Sequence, residues 1–435
     1  MKLIVKNDLV IENPTDEIKE FCKNNLIIDN KDYLTALRLG KYTGNMQKKI
    51  KLYVERADSL ILPFGCLRKI FPMCKSNYEV KIHDFLNFLL KGWIKLYDYQ
   101  ENAKNRLKSA KNGVLEAPCG SGKTNIGLQL IREIGGRALW LTHTKKLLTQ
   151  SYDRCKKYFE GDFGIISEGE VKIGRDITFA TVQTMCKIDP NIYMNAFDVV
   201  VVDECHHCVG SPTNVMQFYK VLTNCNCRYK YGLSATLSRS DNMITSLYAI
   251  LGDKVHTITK EEVGDKIIKA EYVPIKVEIN ANPKEYLDFD GTLNFNKLIN
   301  FLSYNKKRNE IIVENVLKNK GKKQLILCHR VEHVNYLARL LNAESVTGKS
   351  KNRKYESDII VATYSLATEG LDIPDLEILH MTTPQKTERI VKQCTGRVER
   401  NIEGKSTPKI YDYYEPNIPY CANCQIKRRR IIKRN

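Results

Sequence analysis

The strongest chemical pattern in the chain is the segment Ala-Pro-Cys-Gly-Ser-Gly-Lys-Thr at positions 117–124. It lies between an apolar stretch and a run of residues with helical spacing, where a phosphate-binding loop would stand. Gly120 and Gly122 would let backbone N–H groups turn towards a phosphate, and the N-terminus of the next helix favours negative charge. Lys123 can reach the β- and γ-phosphates, and the Thr124 hydroxyl can ligate Mg²⁺. The segment therefore predicts a nucleotide site.

Two carboxylates follow a short apolar run. Four valines at 199–202 are followed at once by Asp203 and Glu204, and ligands bind where strands of a parallel sheet end. One carboxylate can hold Mg²⁺ while its neighbour orients and deprotonates water. Acid pairs after a strand are often turn residues, but Lys123 upstream favours the hydrolytic interpretation. We expect Asp203 to be the magnesium ligand and Glu204 the base.

These residues need a sheet to hold them, and the sequence predicts one. From Leu96 onwards, apolar segments of strand length alternate with helical patterns, which is typical of a parallel sheet covered on both faces. The first series is predicted at 113–116, 137–141, 177–180, 199–202 and 229–233. After a helical stretch near 295–318, a second series is predicted at 324–328, 358–362, 377–380 and 409–413. Two α/β domains in tandem are the simplest interpretation.

The ends of the chain differ from this pattern. Residues 1–93 combine a leading strand, a short capped helix and further strand or turn segments, which indicates a small α+β accessory domain with DNA binding as its candidate role. We therefore expect four parts: 1–93, a first α/β domain at 94–262, a second at 263–415 and a basic tail at 416–435.

Composition limits the partners and the compartment. The chain has 435 residues and a formal net charge of +19, so its surface attracts polyanions, nucleic acid above all. Its 14 cysteines are scattered, and the first residues lack a secretory apolar region, which favours reduced thiols in the cytoplasm. No apolar window is long enough to span a bilayer. We expect a cytoplasmic protein without a membrane contact.

In combination, the motifs resemble those of superfamily 2 helicases, with the closest similarity to phage UvsW-type and XPB-type DNA helicases. The sequence Asp-Glu-Cys-His at 203–206 resembles the DExH box. Other motifs occur in the family's order: 96–100 resembles the adenine-reading Q motif, 234–236 motif III, 363–372 motif V and 393–400 motif VI. The resemblance covers about residues 94–415 and implies two tandem RecA-like domains with parallel sheets, preceded by the α+β domain.

The resemblance implies a role for each matching residue of the nucleotide site. Gln100 would read adenine, and ATP with Mg²⁺ would be held by Gly120, Ser121, Gly122, Lys123 and Thr124. Thr124 and Asp203 would ligate the metal. His206, Ser234 and Thr236 would couple this site to the nucleic acid.

The second domain would complete the site. By resemblance, Gly370 and Asp372 would sense nucleotide across the cleft, and Gln393, Arg397 and Arg400 would face the γ-phosphate. The two arginines would act as arginine fingers, since planar guanidinium groups stabilise charge on a transferring phosphoryl group. Hydrolysis would then depend on closure of the two domains.

The nucleic acid would lie across both domains. Motifs Ia and Ib resemble 142–146 and 181–184, and motifs IV and V resemble 328–330 and the segment at 363. The implied contacts are Thr142, His143, Thr181, Gln183, Arg330 and Thr363. Such side chains suit phosphate oxygens, which are the same at every base, so binding without sequence preference is expected.

The sequence departs from the helicase pattern at two places, and it carries one weaker signal, for a metal site. The passage from Gly348 to Thr363 is short where UvsW-type relatives carry an extra helix, which bears on unwinding more than on ATP hydrolysis. Tyr97 stands where the XPB-type pattern often has arginine. Cys421 and Cys424 form a lone CxxC, and zinc requires four ligands, so spare cysteines are the favoured interpretation.

The residues and the resemblance predict an ATP-dependent DNA helicase or translocase acting in replication, recombination or repair, on single-stranded or branched DNA. A phage or mobile-element protein in a bacterial cell would fit this pattern. A DExH RNA helicase and the motor subunit of a restriction or defence complex are the alternatives within the enzyme class. A nucleic-acid-binding protein with a degenerate helicase fold is the alternative outside it, and it would need a broken lysine, acid pair or arginine finger. The sequence retains all of these.

Overall fold

The structure is a computed structural model, and it describes residues 1–44, 46–74, 77–81, 89–235, 237, 243–264, 267–348, 355–369, 371, 373, 375–401 and 404–434. The chain divides into two compact units, residues 1–262 and 263–435. Each is described by itself below. Among the described residues no helix combines the length and apolar character that crossing a bilayer requires.

The first unit begins with a small α+β region. Its elements are β1 (Lys2–Val5), β2 (Asp8–Glu12), α1 (Asp16–Asn25), β3 (Ile27–Asp29), α2 (Lys31–Arg38), β4 (Lys49–Lys51), β5 (Val54–Arg56), β6 (Ser59–Pro63), α3 (Leu67–Ile70), β7 (Tyr78–Val80) and β8 (Lys91–Gly92). Five of the strands form a sheet in the order β5-β6-β2-β1-β7, antiparallel except for the β1–β7 pair.

The rest of the first unit is a mostly parallel sheet with helices between its strands. The elements are α4 (Asp98–Ala110), β9 (Asn112–Glu116), α5 (Lys123–Ile134), β10 (Ala138–Thr142), α6 (Lys145–Tyr158), β11 (Phe159–Glu160), β12 (Phe163–Ser167), β13 (Glu170–Lys172), β14 (Ile177–Thr181), α7 (Val182–Met185), β15 (Val199–Val202), α8 (Pro212–Asn224), β16 (Tyr229–Ser234), α9 (Ile244–Leu251), β17 (Lys254–Thr257) and α10 (Lys260–Val263). The strand order is β13-β12-β14-β10-β15-β16-β9-β17. All five predicted strands of this series are confirmed, and each observed strand overlaps its predicted range.

The α+β region packs tightly against this larger sheet. Both regions contribute buried side chains to one hydrophobic cluster. Gly65 marks a close approach, because a Cβ there would lie 2.4 Å from the carbonyl oxygens of both Tyr248 and Ala249. The Lys230 ammonium is buried and donates to the carbonyl oxygens of Asn7 and Leu222, each at 2.8 Å. Residues 1–93 therefore have their own sheet but share a core with the domain that follows.

The second unit contains a six-stranded parallel sheet. Its elements are β18 (Glu271–Lys276), α11 (Phe295–Tyr304), α12 (Lys306–Leu317), β19 (Gln324–Cys328), α13 (Val331–Leu341), β20 (Glu344–Val346), β21 (Ile359–Thr363), α14 (Tyr364–Glu369), β22 (Ile378–Met381), α15 (Glu388–Val398), β23 (Lys409–Tyr414) and α16 (Pro419–Arg434). The strand order is β18-β23-β22-β19-β21-β20. The four strands predicted for this domain are confirmed, and the predicted helical stretch is the pair α11 and α12. Within the short passage from Gly348 to Thr363, residues 349–354 lie outside the described residues.

Within the predicted basic tail, residues 419–434 form α16. Arg428 on this helix is 1% exposed, and its Nη2 atom lies 2.6 Å from Asp412 Oδ1 and donates to the Tyr413 carbonyl at 3.2 Å. The charge run therefore lies on a helix: one of its cations forms a buried ion pair, while Lys427, Arg429, Arg430 and Lys433 are exposed.

Candidate nucleotide-hydrolysis site

The glycine-rich loop connects β9 to α5. Ala117 N–H donates to the Ser234 carbonyl at 2.9 Å, which fixes the start of the loop to the end of β16. Gly120 and Gly122 have φ values of 84° and 80°, in the left-handed region that favours glycine. Helix α5 then begins at Lys123. The loop, its glycines and the helix start thus have the arrangement that a phosphate requires.

Lys123 points back into this loop. Its Nζ atom donates to the carbonyl oxygens of Ala117 at 3.2 Å and Pro118 at 3.4 Å and lies 3.9 Å from Glu204 Oε1. A buried ammonium held by neutral carbonyl groups would gain from an anionic partner. The predicted phosphate-binding lysine is therefore placed between the loop and the acid pair.

The acid pair follows β15 directly. Asp203 accepts from Glu204 N–H at 3.0 Å and from the Ser151 hydroxyl at 3.3 Å, so Ser151 on α6 is a supporting residue that the sequence patterns did not reveal. Burial, together with the negative charge of Glu204, raises the pKa of Asp203 to about 7. Burial would also raise the pKa of Glu204, but the charge of Lys123 and the hydrogen bond with His206 outweigh it and hold that pKa below its usual value.

These carboxylates fit a magnesium site. Asp203 is buried beside a second carboxylate, and a divalent cation would relieve the repulsion between the two. Carboxylate and hydroxyl oxygens are the ligands that Mg²⁺ takes beside nucleotide phosphates. Asp203 and Thr124, the second residue of α5, would hold it.

Two of the three predicted coupling residues lie together beside Glu204, the predicted base. His206 Nδ1 is 3.0 Å from Ser234 Oγ at the end of β16 and 3.3 Å from Glu204 Oε2. Thr236, the third, lies outside the described residues. The ring of His206 therefore connects Glu204 with the strand that also fixes the start of the loop.

Gln100 contacts the loop from the first turn of α4. Its Nε2 atom donates to the Ser121 carbonyl at 2.7 Å, and its Oε1 atom accepts from Tyr97 N–H at 3.0 Å. Tyr99, which sequence reasoning did not single out, donates from its hydroxyl to the same Ser121 carbonyl at 3.2 Å. The ring of Tyr97, half exposed, stacks on Tyr99 with centroids 6.0 Å apart. The predicted adenine-reading residue is thus tied to the phosphate loop.

The predicted nucleic-acid contacts of the first unit lie at or just after the ends of two neighbouring strands, β10 and β14, which pair Thr142 with Thr181. Both threonines are buried; the Thr142 hydroxyl donates to the Thr144 carbonyl at 3.1 Å, and the Thr181 hydroxyl donates to Thr184 Oγ1 at 3.0 Å. Both hydroxyls are therefore used inside the protein, and their contact with phosphate stays a prediction. His143 and Gln183 are half-buried and reach the surface at this edge.

The predicted residues of the second unit lie on several elements. Gln393 and Arg397 lie on α15, with Arg400 just after it. Arg397 donates from Nη1 to the Leu371 carbonyl. Gly370 and Asp372 lie outside the described residues.

The two remaining predicted contacts have partners within the second unit. Arg330 precedes α13 and donates to Asn296 Oδ1 at 2.9 Å. Thr363 ends β21, where its hydroxyl lies 3.0 Å from that of Ser365.

The cysteines show no metal arrangement among the described residues, where no cluster of three or more metal-binding side chains is found. Cys421 and Cys424 are buried on α16, and burial raises the pKa of both thiols.

Comparisons with known proteins find helicases and a restriction-enzyme family among the similar proteins. Residues 93–239 match the protein-family model described as "Type III restriction enzyme, res subunit". The "Putative ATP-dependent RNA helicase L396" of Acanthamoeba polyphaga mimivirus is 27% identical over 396 residues, covering 86% of this chain and 73% of that protein. The "DNA 3'-5' translocase XPB2" of Sulfurisphaera tokodaii is 25% identical over 394 residues, covering 79% of this chain and 87% of the relative.

A solved structure shows the same fold. Saccharomyces cerevisiae Dbp5, bound to RNA and ADP BeF3, superimposes with a TM-score of 0.58 at 14% identity over 85% of this chain and 92% of that one. The α/β architecture with RecA-like parallel sheets is therefore confirmed. The DExH residues assembled around the loop and the similarity to these relatives support a superfamily 2 helicase, an ATP-hydrolysing enzyme.

Proposed function

We propose that the chain is an ATP-dependent DNA translocase or helicase, coupling ATP hydrolysis to movement on, or remodelling of, DNA in replication, recombination or repair. The observation that carries the proposal is the assembly of Lys123, Glu204 and His206 around one buried site at the edge of the first sheet. Such an intact hydrolytic site argues against a nucleic-acid-binding protein with a degenerate fold.

In this proposal each residue of the site has its own role in ATP hydrolysis. Lys123 and the loop N–H groups bind the β- and γ-phosphates of ATP. Glu204, kept ionised by Lys123 and His206, orients the attacking water and accepts its proton. Bound Mg²⁺, held by Asp203 and Thr124, would neutralise charge on the phosphates.

The choice of DNA rests on the charge of the chain and on one relative. The net charge of +19 suits any nucleic acid, and the Sulfurisphaera relative is named a DNA translocase. The mimivirus relative carries RNA helicase in its name, and the matched family model is described by a restriction enzyme subunit. An RNA helicase and a restriction or defence motor are therefore the alternatives to test.

ATP turnover of the purified chain should be measured alone and with single-stranded DNA, branched DNA or single-stranded RNA of matched length. We expect the two DNA forms to raise turnover more than RNA does. Stimulation by RNA alone would replace the proposal with an RNA helicase. Turnover that none of these ligands changes would contradict a nucleic-acid motor.

The exposed cations of α16 should strengthen DNA binding without selecting its sequence. Glutamine at Lys427, Arg429, Arg430 and Lys433 should weaken binding and lower the salt dependence, log Kd against log salt, by about 0.7–0.9 for each phosphate that the helix no longer neutralises. Arg428 is left in place because its ion pair with Asp412 is buried.

The matched control replaces four exposed lysines elsewhere in the same unit, Lys306, Lys307, Lys318 and Lys320, with glutamine. It removes the same formal charge, and we expect a smaller change of slope. Equal slopes for the two variants would mean that α16 acts only through net charge.

A further inference from the structure

Three histidine rings stack in the first unit. The centroids of His206 and His207 are 4.3 Å apart with their planes at 35°, and those of His207 and His143 are 4.9 Å apart with their planes at 9°. We call these three residues the histidine column. His207 is its middle ring, and no sequence motif assigns it a role although it stands directly after the DExH residues.

The inner end of the column touches the hydrolytic site. His206 Nδ1 lies 3.3 Å from Glu204 Oε2 and 3.0 Å from Ser234 Oγ. Both His206 and His207 are buried, at 4% and 9% exposure. A displacement of His206 would therefore change the surroundings of the Glu204 carboxylate, which is proposed as the base.

The outer end lies at the predicted nucleic-acid edge. His143 follows β10, and its Nδ1 atom lies 3.0 Å from Nε2 of Gln183, which lies on α7 after β14. Both side chains are half-buried. They are the two predicted contacts of this edge that reach the surface. A nucleic-acid strand bound at this edge would therefore contact His143, the outer ring of the column.

Helix α8 holds the column from the side. The ring of Phe218 lies 6.5 Å from His143 with the planes at 27°, and Asn214 Nδ2 donates to the His207 carbonyl at 3.1 Å. Close-packed rings in a protein interior cannot shift independently. The backbone of His207 is thus fixed while its ring lies between two neighbours that belong to different functional motifs.

We propose that the histidine column transmits nucleic-acid binding at His143 and Gln183 to Glu204, with His207 as the positioning residue that connects the two ends. The proposal rests on the proposed function, since it explains how nucleic acid would stimulate hydrolysis. Only a small movement is needed, because a misplacement of about 1 Å at a reacting group can change a rate about a hundredfold.

The test compares His207→Ala, which removes the middle ring, with His207→Phe, which keeps an aromatic ring of similar width. The quantity measured is the ratio of ATP turnover with single-stranded DNA to turnover without it. We expect His207→Ala to lower this ratio at least about fivefold, the lower range of typical coupling between sites, and His207→Phe to restore most of it. His256→Ala, on the edge strand β17, is the matched control and should keep the wild-type ratio.

DNA affinity and thermal unfolding of each variant are measured in parallel. A lowered ratio at unchanged DNA affinity and unfolding temperature supports the column as the link. A wild-type ratio in His207→Ala, a decrease explained by weaker DNA binding, or a His207→Phe variant as defective as His207→Ala would overturn it. Wild-type protein whose turnover no nucleic acid changes would instead overturn the proposed function, so the two failures are distinguishable.

Discussion

Glu204→Gln is expected to lower the turnover of ATP by about 10²- to 10⁴-fold, the range for removal of a general base, while ATP still binds. The glutamine keeps the shape of the side chain but cannot accept the proton of water. Lys123, 3.9 Å from Glu204, is retained and can still hold the phosphates. The measurements are steady-state turnover and the affinity for a fluorescent ATP analogue.

Two further variants are compared with Glu204→Gln. Lys123→Ala should weaken nucleotide affinity as well as turnover, because it removes the ammonium that lies between loop and acid pair. Glu168→Gln removes an exposed carboxylate of the same unit and should behave as the wild type. Undiminished turnover in Glu204→Gln would rule out the proposed base.

Arg397→Ala and Arg400→Ala are each expected to reduce turnover far more than ATP affinity, by about a thousandfold for an arginine finger. The reason is that the guanidinium groups act on charge that develops in the transition state. Turnover and nucleotide affinity should be measured separately, at saturating ATP and saturating DNA.

Arg397 also has a structural role, the hydrogen bond to the Leu371 carbonyl, so the unfolding temperature of its variant must be compared with that of the wild type. Arg400→Lys keeps the positive charge but lacks the planar guanidinium group, so its ATP turnover should remain impaired. Arg339→Ala, exposed on α13, is the matched control. If affinity falls and turnover at saturating ATP does not, the two arginines bind ground-state ATP only.

The sheets and the phosphate loop could be predicted because their signals are local. The four valines of β15 are fully buried, and a continuous apolar run is what a strand covered on both faces requires. Gly120 and Gly122 have the positive φ values that their residue type permits. The position of the acid pair after β15 could be predicted because the end of a parallel strand fixes where the next residues lie.

The remaining features depend on partners distant in sequence. Arg428 looks like one cation in a charge run, but it is buried and forms an ion pair with Asp412 on β23. Thr142 carries a hydroxyl suited to phosphate, yet the neighbouring strand buries it. The stacking of His207 on His143 joins two loops that follow different strands. No periodic pattern in the sequence predicts such a contact.

The docking of the N-terminal region restricts how this protein can be shortened or recombined. A fragment beginning at residue 94 would keep every recognised motif, yet it would lack Asn7, whose carbonyl accepts from the buried Lys230 ammonium, and would expose the backbone of α9 that Gly65 covers. Lys230 would keep only the Leu222 carbonyl of these two acceptors, and the newly exposed apolar surface would favour aggregation. Exchange of this region between relatives would therefore require matching changes on β16 and α9, so the smallest unit that can be inherited or transplanted intact is longer than the one defined by the motifs.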